Sequence, residues 1–66
     1  MVGERIRKLR KERNFSLREM AEKSGISSFS YLANIERGIV EDPGIKTIIK
    51  IAKGLDVSID YLVKGE

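Results

Sequence analysis

Between Ser16 and Gly38 the chain reads SLREMAEKSGISSFSYLANIERG, and the punctuation of this stretch leaves little choice of local structure. Ser16 and Glu19 have the form of a capping box. The serine oxygen would accept from the Glu19 amide while the carboxylate reaches back to the Ser16 amide. Phe15 and Met20 flank the box where a hydrophobic staple would set the entry angle of the chain. Leu17, Met20 and Ala21 then make an inner face. Ser24-Gly25 ends the helix, because glycine takes the left-handed conformation that closes one. Ser27 or Ser28 caps a second helix, with Leu32 and Ile35 three apart on its inner side. Gly38 is its stop. The expectation is two short helices joined by a tight, glycine-centred turn.

The flanking residues continue in the same period. Glu4–Arg13 places Ile6, Leu9 and Arg13 at helical spacing, with Val2 four residues before Ile6. Beyond Gly38, Asp42 is expected to cap a fourth helix, with Pro43 at its first position, where a missing N–H costs nothing. Ile45, Ile48, Ile49, Ala52 and Leu55 would be its buried face and Lys46, Lys50 and Lys53 its outer one. Asp56-Val57-Ser58 begins a last short helix containing Ile59 and Leu62. No strand pattern, repeat or linker interrupts the series. The chain is therefore read as all-α, a five-helix domain over residues 1–66, with the second and third helices (about 16–37) as a helix-turn-helix. The second helix of such a pair can enter the major groove of DNA.

Composition narrows the chemistry. The 66 residues include neither cysteine nor histidine, so disulfides, the usual zinc sites and most acid–base or triad catalysis lose their main residues. No metal or cofactor is expected. No nucleophile–base pair or phosphate loop is present, and a core this small leaves no room for a large enclosed pocket. An enzyme is the reading least supported. The opening MVGERIRKLRKER has no apolar signal segment, and no run approaches a membrane span, which points to a cytoplasmic protein. The apolar stripe of Glu4–Arg13 is too narrow, and too much needed for the core, to serve a membrane surface. Residues 4–23 carry eight basic side chains against four acidic ones, a local charge of +4 that leaves −1 for the rest of a chain whose total is +3. Such asymmetry suits a polyanion facing the N-terminal part, or else a solvated face.

The stretches GERIRKLRKERNFSLREMAEKSGI, YLANIERG and DPGIKTIIKIAKGLDVSIDYLV together resemble the lambda-repressor/Cro (XRE) type of helix-turn-helix family. They cover nearly the whole chain, Gly3 to about Val63, and are most similar to phage repressors, SinR-like regulators and restriction-controller proteins. The resemblance implies a lambda-repressor-like fold with a buried ion pair between Arg10 and Glu36. The residues add that Arg10 follows apolar Leu9 and Glu36 follows apolar Ile35.

Counted back from Glu36, the family's base-contacting positions fall on Phe29, Ser30 and Asn34. Asn34 can bond adenine N6 and N7, Ser30 either kind of base edge, and Phe29 a thymine methyl. Phe29 has alternatives as a core residue or dimer contact, and Tyr31 either packs inward or bonds a phosphate. Phosphate contacts are expected from Arg37, Arg18 and the amides at Ser16-Leu17, and in second rank from Ser28 and Lys46. Leu17 stands where many relatives carry a glutamine, so only its backbone N–H can serve. Glu41 and Asp42 replace basic residues of the phage repressors and would repel the DNA backbone. The family usually spaces the residues matching Gly25 and Glu36 one residue closer. The extra residue here is assigned to the turn Ile26-Ser27-Ser28, which keeps Leu32 and Ile35 at their distance from Glu36.

The function implied is a sequence-specific transcriptional regulator of the repressor kind, bound as a homodimer to a roughly palindromic operator in double-stranded DNA. Val57, Tyr61 and Val63 are candidate interface residues. The alternative is an antitoxin-like or accessory protein of the same fold whose main partner is another protein.

Overall fold

The computed structural model describes residues 2–65 and contains five helices: α1 (Val2–Glu12), α2 (Leu17–Ser24), α3 (Phe29–Glu36), α4 (Ile45–Leu55) and α5 (Ile59–Lys64). No strand occurs among the described residues. Each helix sends one stripe inward. Ile6 and Leu9 of α1, Met20 and Ala21 of α2, Leu32 and Ile35 of α3, Ile48, Ile51, Ala52 and Leu55 of α4, and Leu62 of α5 form one apolar cluster. Val2, Phe15, Leu17, Ile26, Val40 and Val57 pack around its margin. α4 lies across α2 as the most extensive pairing, while α1 touches α3, α4 and α5.

Two glycines mark where backbones come closest. A Cβ on Gly3 would strike the Ile35 carbonyl, and one on Gly54 would strike the Oγ of Ser24. α1 is thus seated on the last turn of α3, and α4 on the end of α2. A side chain also ties the two ends of the described chain. Arg5 of α1 donates from Nη1 to the carbonyls of Leu62 and Val63, both at 3.1 Å. These carbonyls belong to the last turn of α5, where they lack intrahelical partners and where a cation is favoured.

Several expectations need correction. α1 begins at Val2 and ends at Glu12, two residues ahead of its expected start and one ahead of its expected end. α4 begins at Ile45 with Gly44 as N-cap, and neither Asp42 nor Pro43 opens it. Pro43 is buried instead, so its ring contributes apolar area ahead of the helix. The buried stripe of α4 turns on Ile48, Ile51, Ala52 and Leu55, whereas Ile45 and Ile49 stand 63% and 45% exposed. Asp56 ends α4 in the left-handed conformation, and Ser58 caps α5, accepting from the Tyr61 amide at 3.0 Å.

Candidate nucleic-acid interface

The two helices at the centre of the chain are fixed by local bonds before any long-range packing is counted. The Glu19 amide donates to Ser16 Oγ at 3.0 Å, and the Ser16 amide donates to Glu19 Oε1 at 2.8 Å. That reciprocal pair holds the Glu19 carboxyl below its usual value. The bond from the Ser16 backbone is the largest cause and the Ser16 side chain the next. At the other end, Gly25 sits at φ 69° and the Ile26 amide donates to the Ala21 carbonyl at 2.8 Å, a Schellman closure. Ile26 packs against the core as the apolar residue that accompanies such a closure.

Four residues, Gly25 to Ser28, separate the two helices. Ser28 is the cap of α3, its Oγ accepting from the Tyr31 amide at 3.3 Å. α3 is an uninterrupted α-helix from Phe29, with Leu32 and Ile35 wholly buried three apart.

Glu36 anchors the inner end of α3. Arg10 donates to both its oxygens, Nε to Oε2 at 2.8 Å and Nη2 to Oε1 at 3.0 Å. The remaining arm, Nη1, donates to the Phe15 carbonyl at 2.8 Å. The pair is nearly enclosed, with side-chain exposures of 12% and 5%. One guanidinium therefore joins α1, the segment before α2 and α3.

The outer edge of α3 carries Ser30 and Asn34 one turn apart, Ser30 exposed and Asn34 half-buried, with half-buried Ala33 between them. Phe29 is 39% exposed and therefore not a core residue; the guanidinium of Arg18 lies over its ring, 4.8 Å from the centroid. Tyr31, at 37% exposed, does not pack inward. Ser16 is less available than expected: its amide is taken by Glu19 and its oxygen already accepts. The amides of Leu17 and Arg18, at the first two positions of α2, have no acceptor among the described residues. Lys46 is exposed at the start of α4. Glu41 and Asp42 are exposed in the loop before it.

A basic cleft of about 210 Å³ opens beside this edge, lined by Arg7, Arg10 and Lys11 of α1, Leu17 of α2, and Ala33, Glu36 and Arg37 at the end of α3. Because Arg10 neutralises Glu36, the charge offered to solvent there is that of Arg7, Lys11 and Arg37. Arg7 and Lys11 were not among the expected phosphate contacts. Their only signal is their i, i+4 spacing on α1 three residues and one residue from Arg10, which brings them to Arg37 once Arg10 holds Glu36. Of the interface candidates, Val57 packs against the core, while Tyr61 and Val63 stand 40% and 48% exposed.

Two short helices held by a capped, glycine-closed turn, the second presenting a polar edge beside a basic cleft, define a helix-turn-helix. The helix-turn-helix family model matches residues 6–62, and the chain belongs to that family, in its lambda-repressor/Cro (XRE) branch. It is 44% identical over 63 residues to the HTH-type transcriptional regulator SinR of Bacillus subtilis (strain 168), covering 96% of this chain and 56% of the relative. The chain thus spans about half the length of that curated relative. Among solved structures it is similar to SinR, master regulator for biofilm formation, in complex with DNA. The TM-score is 0.90 at 44% identity, over 97% of this chain and 100% of that one. It is also similar to the SinR protein/SinI protein complex, with a TM-score of 0.89 over 97% of this chain and 61% of that one.

Proposed function

We propose that this chain is a sequence-specific DNA-binding transcriptional regulator that acts in the cytoplasm as a repressor, with residues 1–66 as one DNA-binding unit and α3 in the major groove. The observation that carries this reading is the polar edge of α3, exposed Ser30 and half-buried Asn34, set directly beside a cleft whose free charges are all positive. Asn34 would bond adenine and Ser30 a neighbouring base edge. Arg37, Arg7 and Lys11 would hold phosphates, with the Leu17 amide and, further out, Ser16, Ser28 and Lys46. The fold offers a surface for a duplex rather than an enclosed site for a reaction, which favours a binding protein over an enzyme. SinR has been solved in complex with DNA, and the likeness supports the same ligand here.

Size argues for two copies. The longest extent of the molecule is 26 Å, whereas major grooves on one face of DNA recur about every 34 Å. One copy reads one groove, and a homodimer reads a palindrome. Tyr61 and Val63 offer exposed surface for that contact, with Val57 behind them. Occupying an operator is enough to block an overlapping promoter, the simplest action open to such a dimer.

Selection of bound sites from random duplex DNA, run in parallel with Asn34→Ala, tests the proposal. A single preferred motif is expected, with the variant losing preference at one position. Affinity should fall steeply with salt, by a log–log slope near −0.9 per phosphate held. A flat salt response without any sequence preference would sink the reading. An Asn34→Ala protein that keeps both affinity and preference would show that α3 reads from another edge.

A second reading, an accessory role toward a protein partner, is favoured by the exposed Ile39, Ile45 and Ile49 and by the existence of a SinR/SinI complex. A co-purifying protein that stays bound in high salt would support it.

A further inference from the structure

Arg18 and Phe29 belong to different helices and meet outside the core, at the end of α3 that lies deepest in the groove in a helix-turn-helix complex. The 4.8 Å separation is that of a cation–π contact. Among the described residues no ion pair engages Arg18, although Glu22, one turn further along α2, borders the same hollow of about 170 Å³. The side chain is exposed, and among the described residues its N–H donors make no hydrogen bond.

A phosphate contact asks only for a charge within reach, and a mobile side chain satisfies it. A guanidinium held over an aromatic ring is different, because the contact restricts where its donor fork can lie. A planar fork held in one region is suited to a bidentate bond to guanine O6 and N7. The ring beneath it supplies the complementary surface, an apolar contact for the C5-methyl group of thymine.

We propose that Arg18 reads a base rather than clamping a phosphate, and that Arg18 and Phe29 act as one unit selecting a thymine next to a guanine. The ring meets the methyl group, and the guanidinium beside it meets O6 and N7 of the neighbouring purine. This rests on the DNA-binding reading and deepens it by naming part of the recognised sequence. It also gives the exposed Phe29 a use that neither core packing nor charge supplies.

The test begins with the duplex that the wild-type protein selects from a random pool, in which each half-site should contain adjacent thymine and guanine. Three changes are then compared: uracil for that thymine, which removes only the methyl; 7-deazaguanine for that guanine, which removes only N7; and every other base in place of the guanine. Wild-type protein should lose affinity with each. Arg18→Lys keeps the charge and loses the fork, so preference for guanine should fall by about 5- to 150-fold with the salt slope unchanged. Phe29→Ala should abolish the difference between thymine and uracil. Both side chains are exposed, and thermal melts of the variants report directly that the fold is kept. The proposal is overturned if Arg18→Lys retains the full guanine preference, or if Arg18→Gln weakens all sequences alike and lowers the salt slope by about one. Those results leave the DNA-binding reading standing, with Arg18 as a phosphate contact. Failure of the wild-type protein to select any sequence overturns the DNA-binding reading itself, and the proposal with it.

Discussion

Arg10 donates to three oxygens from three nitrogens, and this concentration of bonds on one nearly enclosed side chain sets what its loss would do. Removing one member of a buried pair leaves the other charge without compensation, at about 3–5 kcal/mol, whereas replacing both by apolar groups is often close to neutral. Glu36→Ala and Arg10→Ala are each expected to unfold at much lower urea concentration than the wild type. The double variant Arg10→Met/Glu36→Leu should be more stable than either single one; a double variant weaker than both would show that the pair is a net source of stability. Ser24 presents the opposite case. Its Oγ is buried against Gly54 and has no hydrogen-bond partner among the described residues. Ser24→Ala is therefore expected to be neutral or stabilising in thermal melts. Gly54→Ala should cost about 1–3 kcal/mol by overpacking, part of which Ser24→Ala should restore. In sequence the Ser24-Gly25 pair shows only a helix end. That the serine faces a glycine thirty residues away is set by the α2–α4 crossing, which no local pattern records.

At the scale of elements, the parts readable in the sequence are those decided within four or five residues. The Ser16–Glu19 box and the Gly25 closure appear as their residues predict, because each side chain bonds an amide within its own turn. The start of α4 was not readable. Asp42-Pro43 has the form of a cap and first position, but burying the proline ring moves the start to Gly44-Ile45. The run of isoleucines from 45 to 51 is compatible with more than one stripe, and packing against α2 selects Ile51 over Ile49. The candidate site divides similarly. Ser30 and Asn34 follow from counting along one helix, whereas the meeting of Arg18 with Phe29, and of Arg7 and Lys11 with Arg37, depends on how helices cross.

The capping box also has a titratable consequence. Because the folded-state pKa of Glu19 lies below the unfolded one, its contribution is complete above the ordinary carboxylate range and is lost as pH falls through the folded value. The difference in melting temperature between wild type and Glu19→Gln should be largest near neutral pH and vanish in acid. A difference independent of pH would show that the neutral amide caps as well as the carboxylate.

Over the whole molecule, packing joins helices that are far apart in the chain as firmly as those that are adjacent. α1 seats on the end of α3 through Gly3 and on α5 through Arg5, so the first helix belongs to the structural base of α3. This explains why the basic first helix and α3 share one cleft. The Arg5 clasp carries a topological consequence. With α1 held to the last turn of α5, the helices form a closed circuit in which the break between first and last residue has no special standing. A permuted chain, its old ends joined by a short glycine-rich link and new ends opened between exposed Glu41 and Asp42, should fold to the same arrangement and melt cooperatively, as circular dichroism would show. Within residues 2–65 the Arg5 clasp makes the order of helices around the circuit, rather than the position of the break, the feature that such a permutation tests.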